Sequence, residues 1–567
     1  MNIQKLIAFV FILIPTIVLA QTPSWVWGIN SNCISNDEAN VITHDKAGNV
    51  FVAGLFSGTM QLDTFMLNSM GGNDVFIAKY ANNGTLLWAK SGGSNADETV
   101  RAITIDTSGN IYMTGSFGGH IIYPVSYTDT AYFSDSSIVS KANMDIYLIS
   151  YTPNGNIRWL RDYGSKYNDV GKILTCNQNN QIIFSGEFSR YNGSPPIYDS
   201  LQIDNTMLYA INGESFIIKM SVNANVQNCQ QFKIDISGLS IVKENKPCII
   251  SYIGFGSTTI DNVTISSISA GTVNGGFAII MLDSSFHAIW GKVFGGQNSG
   301  GSIWGEVNPI SIAYDGNTGV YFLGSYKECS LIIQNAIGLQ YELTFHNILA
   351  KLDTNGQLQW IKSFLGYSDF DAAESLYLDE NQNVFLAGYF KYKGYFENDT
   401  LLSTGVEDAF IAKYDSLGTE QWAMNMGGNN TDEGIAITGT DDGSLYVSGL
   451  FYSSVFSYQG HSISNTGGSD MFVAKLSQTT GISNEPDQVK AEVYPNPANE
   501  TIYLKSKDAI AAIKVYDITG KMVREMKYEI PTTNTSLDVR GLIDGMYFME
   551  ATAKGKVPLM EKMVISH

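Results

Sequence analysis

"DVFIAKYANNGTLLWAKSGG" (Asp74–Gly93) holds two apolar-alternating runs around an Asn-Asn-Gly turn, and the phrase returns three times. The copies are "DIYLISYTPNGNIRWLRDYG" (Asp145–Gly164), "NILAKLDTNGQLQWIKSFLG" (Asn347–Gly366) and "DAFIAKYDSLGTEQWAMNMGG" (Asp408–Gly428). A second phrase precedes it: "DKAGNVFVAGLF" (Asp45–Phe56), "DTSGNIYMTGSF" (Asp106–Phe117), "DENQNVFLAGYF" (Asp379–Phe390) and "DDGSLYVSGLF" (Asp441–Phe451). Degenerate copies around Gln181–Phe188, Lys246–Gly256 and Gly319–Tyr326 bring the total to seven, spaced about 61–71 residues apart.

Each copy reads as four short strands. Val50-Phe51-Val52-Ala53 and Val75-Phe76-Ile77-Ala78 sit in runs bounded by Asp, Asn and Gly, whose side-chain hydrogen bonds and tolerance of positive φ make hairpin turns. Four strands repeated seven times, without a helical period, predict an all-β fold: a seven-bladed β-propeller over residues 21–477. A β-solenoid, the alternative, has shorter coils of parallel strands. The last copy ends at "DMFVAKLS" (Asp470–Ser477) without a Trp-bearing fourth strand, and "SWVWGIN" (Ser24–Asn30) supplies one alone. One strand plus three makes a blade, so the first strand is expected to close the last blade and remove an exposed sheet edge.

Trp27, Trp88, Trp159, Trp290, Trp360 and Trp422 hold equivalent fourth-strand places, with Cys229 near that position in the third copy. Burial between blades explains this ring better than sugar stacking, because every blade needs such cover. The recurring Gly-x-Phe/Tyr (Gly54/Phe56, Gly115/Phe117, Gly388/Phe390, Gly449/Phe451) is expected to let neighbouring sheets approach closely.

The chain has 567 residues, 44% of them apolar, and carries 34 Lys and Arg against 54 Asp and Glu, a net charge of −20. That composition excludes global disorder, and the acidity excludes nucleic acid as partner, since a phosphate backbone requires a basic footprint. Lys5, the apolar run Leu6–Ala20 and the small-residue pattern at Val18-Leu19-Ala20 read as a signal peptide over residues 1–20. No Cys follows the run, and no other stretch is apolar enough to span a membrane, so no transmembrane segment is expected in the mature chain. The five cysteines are widely spaced and the six histidines form no ligand motif.

Acids recur before the first strand of several copies: Asp37-Glu38, Asp97-Glu98, Asp169, Asp371 with Glu374, and Asp432-Glu433. Propeller symmetry would set them in a ring near the central channel. Two such acids would serve as acid and base in glycoside cleavage, and several would bind Ca²⁺ through oxygen. Repetition favours a third role, turn caps that accept backbone N–H, because an active site is asymmetric. No catalytic set stands out. The expected function is therefore a binding or scaffold protein with a glycan or protein ligand on one propeller face. The alternative is a polysaccharide-active enzyme, a glycoside hydrolase or lyase, with its site at the channel mouth.

"QTTGISNEPDQVK" (Gln478–Lys490) reads as a linker. Beyond it, Ala491–His567 carries ten basic and ten acidic residues, so its net charge is zero and the acidity belongs to the earlier part of the chain. Short runs separated by Gly and Asp predict a small Ig-like β-sandwich here. "VYPNPANETIYL" (Val493–Leu504), "IKVYDITGKMV" (Ile513–Val523), "LDVRGLIDGMYFMEA" (Leu537–Ala551) and the "KMVI" ending at Ile565 resemble the type A C-terminal sorting domain of the Bacteroidota type IX secretion system. The residues that carry the match are Tyr494, Pro495, Asn496, Pro497, Gly520, Gly541, Gly545, Tyr547 and Lys562. The resemblance implies partnership with the type IX machinery and a route through the periplasm and outer membrane. The protein would end secreted or on the outer cell surface. The repeats resemble propeller repeats of such secreted proteins, a likeness of architecture alone.

Overall fold

The computed structural model describes residues 23–477 and 491–567, apart from 120–127, 142, 191–197, 212–213, 243–245, 254–256, 267–275, 298–305, 334–335, 370, 519–520 and 554–558. The leader at 1–20, the linker at 478–490 and Gly520 of the sorting motif lie outside the described residues. Every regular element among the described residues is a β-strand. The residues up to Ser477 form one compact unit and those from Ala491 another.

The first unit is a β-propeller. Its described strands include seven sets of four consecutive antiparallel neighbours. The first set runs Asp37–His44, Val50–Phe56, Asp74–Tyr80, Leu86–Gly93, and the second Thr99–Ile105, Ile111–Phe117, Asp145–Tyr151, Ile157–Tyr163. The opening strands of successive sets touch one another: Asp37–His44, Thr99–Ile105, Asn168–Cys176, Asp235–Val242, Glu306–Tyr314, Ala372–Leu378 and Asp432–Gly439. The cycle closes where Asp432–Gly439 meets Asp37–His44. Opening strands are mostly half-buried, while second strands such as Ile111–Phe117 are buried throughout, so the opening strands line the axis.

The seventh set takes its outer strand from the other end of the unit. Ser24–Asn30 pairs antiparallel with Asp470–Ser477, in a register that runs from Ser24 opposite Ser477 to Asn30 opposite Phe472. Trp25 is 7% exposed and packs on Phe456 and Tyr458 with ring centroids 6.3 and 6.0 Å apart. Cores lie between sets: Phe385 and Ile411 of the sixth join Val447 and Phe472 of the seventh, while Val52 and Phe76 of the first join Tyr446 and Val473 of the seventh.

Turn chemistry follows the Asp-x-x-Gly-Asn pattern. Asp45 Oδ1 accepts the backbone N–H of Ala47 (3.0 Å) and Asn49 (2.9 Å), and Gly48 takes φ 75°. Connections between second and third strands do more than turn. The Thr130–Phe133 hairpin strand pairs with Leu86–Gly93, and Cys329–Ile333 pairs with Ala288–Gln297, so two sets gain strands from the following one.

The tryptophans join neighbouring sets by hydrogen bonds as well as by area. The indole Nε1 of Trp27, Trp88, Trp159, Trp290 and Trp360 donates to a turn carbonyl of the next set, at Asn82, Pro153, Val222, Thr354 and Ser416. In the third set the register places Asn228, rather than Cys229, at this position, and its Nδ2 donates to Ser285 O at 3.0 Å. A short amide thus takes over the indole's polar role.

The motif glycines act within a sheet rather than between sheets. A Cβ on Gly54 would lie 1.8 Å from the Glu38 carbonyl oxygen on the adjacent strand of its own sheet. The cause is a β-bulge shared by all seven opening strands, which pushes the strand toward the glycine.

The second unit is a single hydrogen-bonded sheet of five strands. Sequence runs that read as separate strands merge: Thr501–Asp517 is one strand, with its register broken between Lys505 and Ile510. Its first half pairs with Ala491–Tyr494 and its second with Gly545–Ala553. Residues of both halves, including Leu504, Val515, Met549 and Ile565, share one core.

Candidate functional site

Five of the sequence-predicted acids occupy one structural position. Asp37, Glu98, Asp169, Asp371 and Asp432 stand at or beside the start of their opening strands and are 5% exposed or less. Ile234 and Val307, both buried, take the place in the fourth and fifth sets, so the row is interrupted. The other candidates fall in different registers: Asp97 one residue earlier, Glu38 and Glu433 one later, and Glu374 on the bulge itself.

The five carboxylates are acceptors for the propeller's own N–H and O–H groups. Glu98 receives Ser94 N–H at 2.9 Å and Ser94 Oγ at 2.5 Å, and Asp169 receives Ser165 N–H (2.6 Å) and Oγ (2.7 Å). Asp432 takes Gly428 N–H at 2.7 Å and Ser453 Oγ at 2.7 Å, and Asp371 takes Tyr367, Ser368 and Lys391 N–H at 2.9–3.1 Å. Asp37 reaches the neighbouring set, accepting Met471 N–H at 2.9 Å as well as Ser31 Oγ at 2.5 Å. The donor four residues upstream recurs because it closes a compact loop over the strand start.

A second row of buried acids was legible only as the first letter of the opening phrase. Asp74, Asp145 and Asp470 begin third strands, Asp408 stands at the same place within the longer Thr400–Tyr414, and all four accept the N–H four residues earlier, from Met70, Lys141, Thr404 and Thr466. The two rows meet at the junctions between sets. Burial, with Asp470 adding a like charge, pushes Asp37 up to about 7. Burial, with Asp74 adding to it, does the same to Glu98, and burial with Asp408 does so to Asp432.

Glu374 and Glu433 differ from these caps. Burial raises both, Glu433 to about 7, and Glu407, Glu374 and Glu38 add like charge around Glu433. Glu38 accepts Asn40 Nδ2 at 2.9 Å, and Asp97 accepts Asn73 N–H at 2.8 Å. Among the described residues, no three His, Cys, Asp or Glu side chains converge as a metal-ligand group. All five cysteines are free thiols, and burial raises each of them.

In the tail, the Tyr-Pro-Asn-Pro segment is tied to the last strand. Asn496 binds the last strand twice, donating to Lys562 O (2.7 Å) and accepting Val564 N–H (2.8 Å), and Ala498 N–H continues the ladder to Val564 O at 2.8 Å. Tyr494 stacks on Tyr503 at 6.0 Å, both half-exposed, and precedes a cis peptide bond to Pro495; a second lies before Pro497. Tyr547 is buried and donates its hydroxyl to Ile543 O at 2.9 Å, while Gly541 and Gly545 flank that turn.

A family model described as a secretion system C-terminal sorting domain matches residues 492–566, and one described as a beta-propeller repeat matches residues 92–116. The chain therefore carries a sorting domain of the type IX secretion route, which directs it to the outer surface or extracellular space. An uncharacterized WD repeat-containing protein of Acanthamoeba polyphaga mimivirus is 22% identical over 511 residues, covering 75% of this chain and 36% of its own length. Regulatory protein FlaEY of Caulobacter vibrioides is 31% identical over 105 residues, 18% of this chain and 11% of its own. The chain thus spans about a third and about a tenth of the length of these curated relatives. Among solved structures, hydrazine synthase of Kuenenia stuttgartiensis is similar at 8% identity with a TM-score of 0.37, covering 73% of this chain and 94% of that one. Among the described residues no helix is long and apolar enough to cross a membrane.

Proposed function

We propose that this exported chain is a ligand-binding scaffold: one seven-bladed propeller that presents its loops outside the cell, followed by a sorting domain. The observation that carries the reading is the engagement of the repeated carboxylates by backbone and serine donors. Polar groups present in blade after blade support the fold, so function falls to the segments that differ between blades, chiefly the hairpins between second and third strands. The ligand is a glycan or a protein of the cell exterior. A glycan array combined with a polysaccharide-degradation screen on the purified full chain tests the proposal. Binding without release of reducing ends supports it, and turnover overturns it.

One observation favours the enzymatic alternative. Glu433, raised to about 7 beside Glu374 and Glu38, has the environment of a general acid in a carboxylate pair. Turnover abolished by Glu433→Gln with an unchanged melting temperature would establish that reading.

A further inference from the structure

The sixth copy departs from the others just after its second strand. Where the first copy reads "SGTMQLD" (Ser57–Asp63), the sixth reads "KYKGYFEND" (Lys391–Asp399), and Val384–Tyr395 runs on as one long strand. The extension brings Tyr392 and Tyr395 beside Tyr367, with centroids 6.5 and 6.3 Å from the Tyr367 ring. All three phenols are exposed, at 57%, 42% and 48% for Tyr392, Tyr395 and Tyr367.

Tyr395 also lines a cleft of about 690 Å³ between the fifth and sixth sets. Its walls are Tyr326, Phe364 and Phe396, and its polar groups are Gln340, Glu342, His346, Lys362 and Glu397. An ion pair joins Lys362 to Glu397 (3.0 Å), and the His346 imidazole stands 3.4 Å from Glu342 and 3.1 Å from Ser363 Oγ. Burial lowers the His346 pKa, so the imidazole is neutral at pH 7 and the cleft keeps one uncompensated carboxylate. At the inner end stands Tyr414, 1% exposed, whose hydroxyl makes no hydrogen bond within the protein. A buried hydroxyl left unpaired costs free energy, and a ligand that supplies its partner recovers it.

We infer that this cleft is a binding site for a neutral saccharide, a reading that rests on the scaffold function proposed above. A sugar ring presents an apolar C–H face to an aromatic plane and hydroxyls around its edge, and the cleft offers the exposed Tyr395 ring beside carboxylate, amide and imidazole groups. The cleft volume falls within the roughly 300–1,000 Å³ of small-molecule sites. The Glu342 carboxylate, with only a neutral imidazole beside it, disfavours anionic sugars. Tyr395 is the stacking platform, and the Tyr414 hydroxyl meets a sugar hydroxyl.

Titration calorimetry of the full chain with cellohexaose, xylohexaose, laminarihexaose and mannohexaose, with polygalacturonate as the anionic control, tests the assignment. At least one neutral oligosaccharide should bind. Tyr395→Ala should weaken it roughly tenfold, and Tyr414→Phe, which keeps the ring, by roughly three- to tenfold. Melting temperatures of both variants check that the fold is intact. Saccharide binding unchanged in both variants overturns the cleft and leaves the scaffold reading standing. Absence of binding by all four neutral probes, or preference for polygalacturonate, also overturns the cleft. Turnover of polysaccharide instead counts against the scaffold and not against the cleft.

Discussion

The indole nitrogen of Trp88 donates a 3.1 Å hydrogen bond to the backbone carbonyl of Pro153, at the turn of the following sheet. Its ring packs edge-on to Phe51 at 6.1 Å, so one side chain covers its own sheet and latches the next. Lys79 Nζ reaches the same carbonyl at 3.2 Å. Trp88→Phe should therefore cost only about 0.5–1 kcal/mol, while Trp88→Ala, which also loses the buried ring, should cost about 3–5 kcal/mol. Urea unfolding measures both; a Phe variant as stable as the parent would show that the latch contributes nothing.

Removing Ser24–Asn30 should lower the melting temperature sharply and promote self-association, because it bares Asp470–Ser477 as an unpaired edge and strips Trp25 from Phe456 and Tyr458. Calorimetry and size-exclusion chromatography report the two effects. Unchanged thermal unfolding would contradict the closure.

The buried acids make stability depend on pH in an unusual direction. Asp37, Glu98, Asp145 and Asp432 are each raised to about 7, chiefly by burial. Unfolded carboxyls titrate near 4, so between about pH 4 and 7 the folded state binds more protons than the unfolded one. These groups therefore stabilise the fold at the acid end of that window, and the benefit is lost as pH rises through 7. The melting temperature should be higher at pH 5 than at pH 8. Asp37→Asn should reduce the difference, since its amide can occupy the position of Oδ2, which has no partner. An identical slope in the variant would refute the attribution.

Calcium separates capping from metal binding. As caps, Asp37→Ala, Asp371→Ala and Asp432→Ala should each cost on the order of 1 kcal/mol, whether in chelator or in millimolar Ca²⁺. A calcium-dependent rise in melting temperature that vanishes in the triple variant would assign the row to cation binding instead.

Asn496→Ala removes two hydrogen bonds to the last strand and should loosen the second unit by about 1–2 kcal/mol. Less protein should reach the medium or cell surface while the propeller melts as before. Fractionation of a producing cell shows the first effect and calorimetry the second; normal export would remove Asn496 from the sorting function.

The all-β propeller and the sorting tail were legible because both repeat or match over long stretches: alternation fixes strands, and Asp-x-x-Gly-Asn fixes turns. Pairing between distant strands left less trace. Cys329–Ile333 alternates like any hairpin strand, and nothing local tells that it joins the sheet of Ala288–Gln297. Asn228 carries the indole's hydrogen bond without resembling Trp, since only the geometry of the donor is conserved across the repeat. The acids read as one ring because they come in neighbouring pairs such as Asp37-Glu38 and Asp432-Glu433, whose members a sequence pattern does not tell apart. A bulged strand does: one step moves Glu38 or Glu433 from the buried cap to a half-exposed neighbouring place.

The pairing of Ser24 with Ser477 also sets an order of events. The strand made earliest is the last to find its partner, because nearly the whole unit must be synthesised before Asp470–Ser477 exists. Until then the Trp-bearing segment has no strand to pair with, and a chain halted at any earlier point is an open arc rather than a smaller ring. Such long-range closure is intrinsically slow. Until that closure the chain is not locked into its final form.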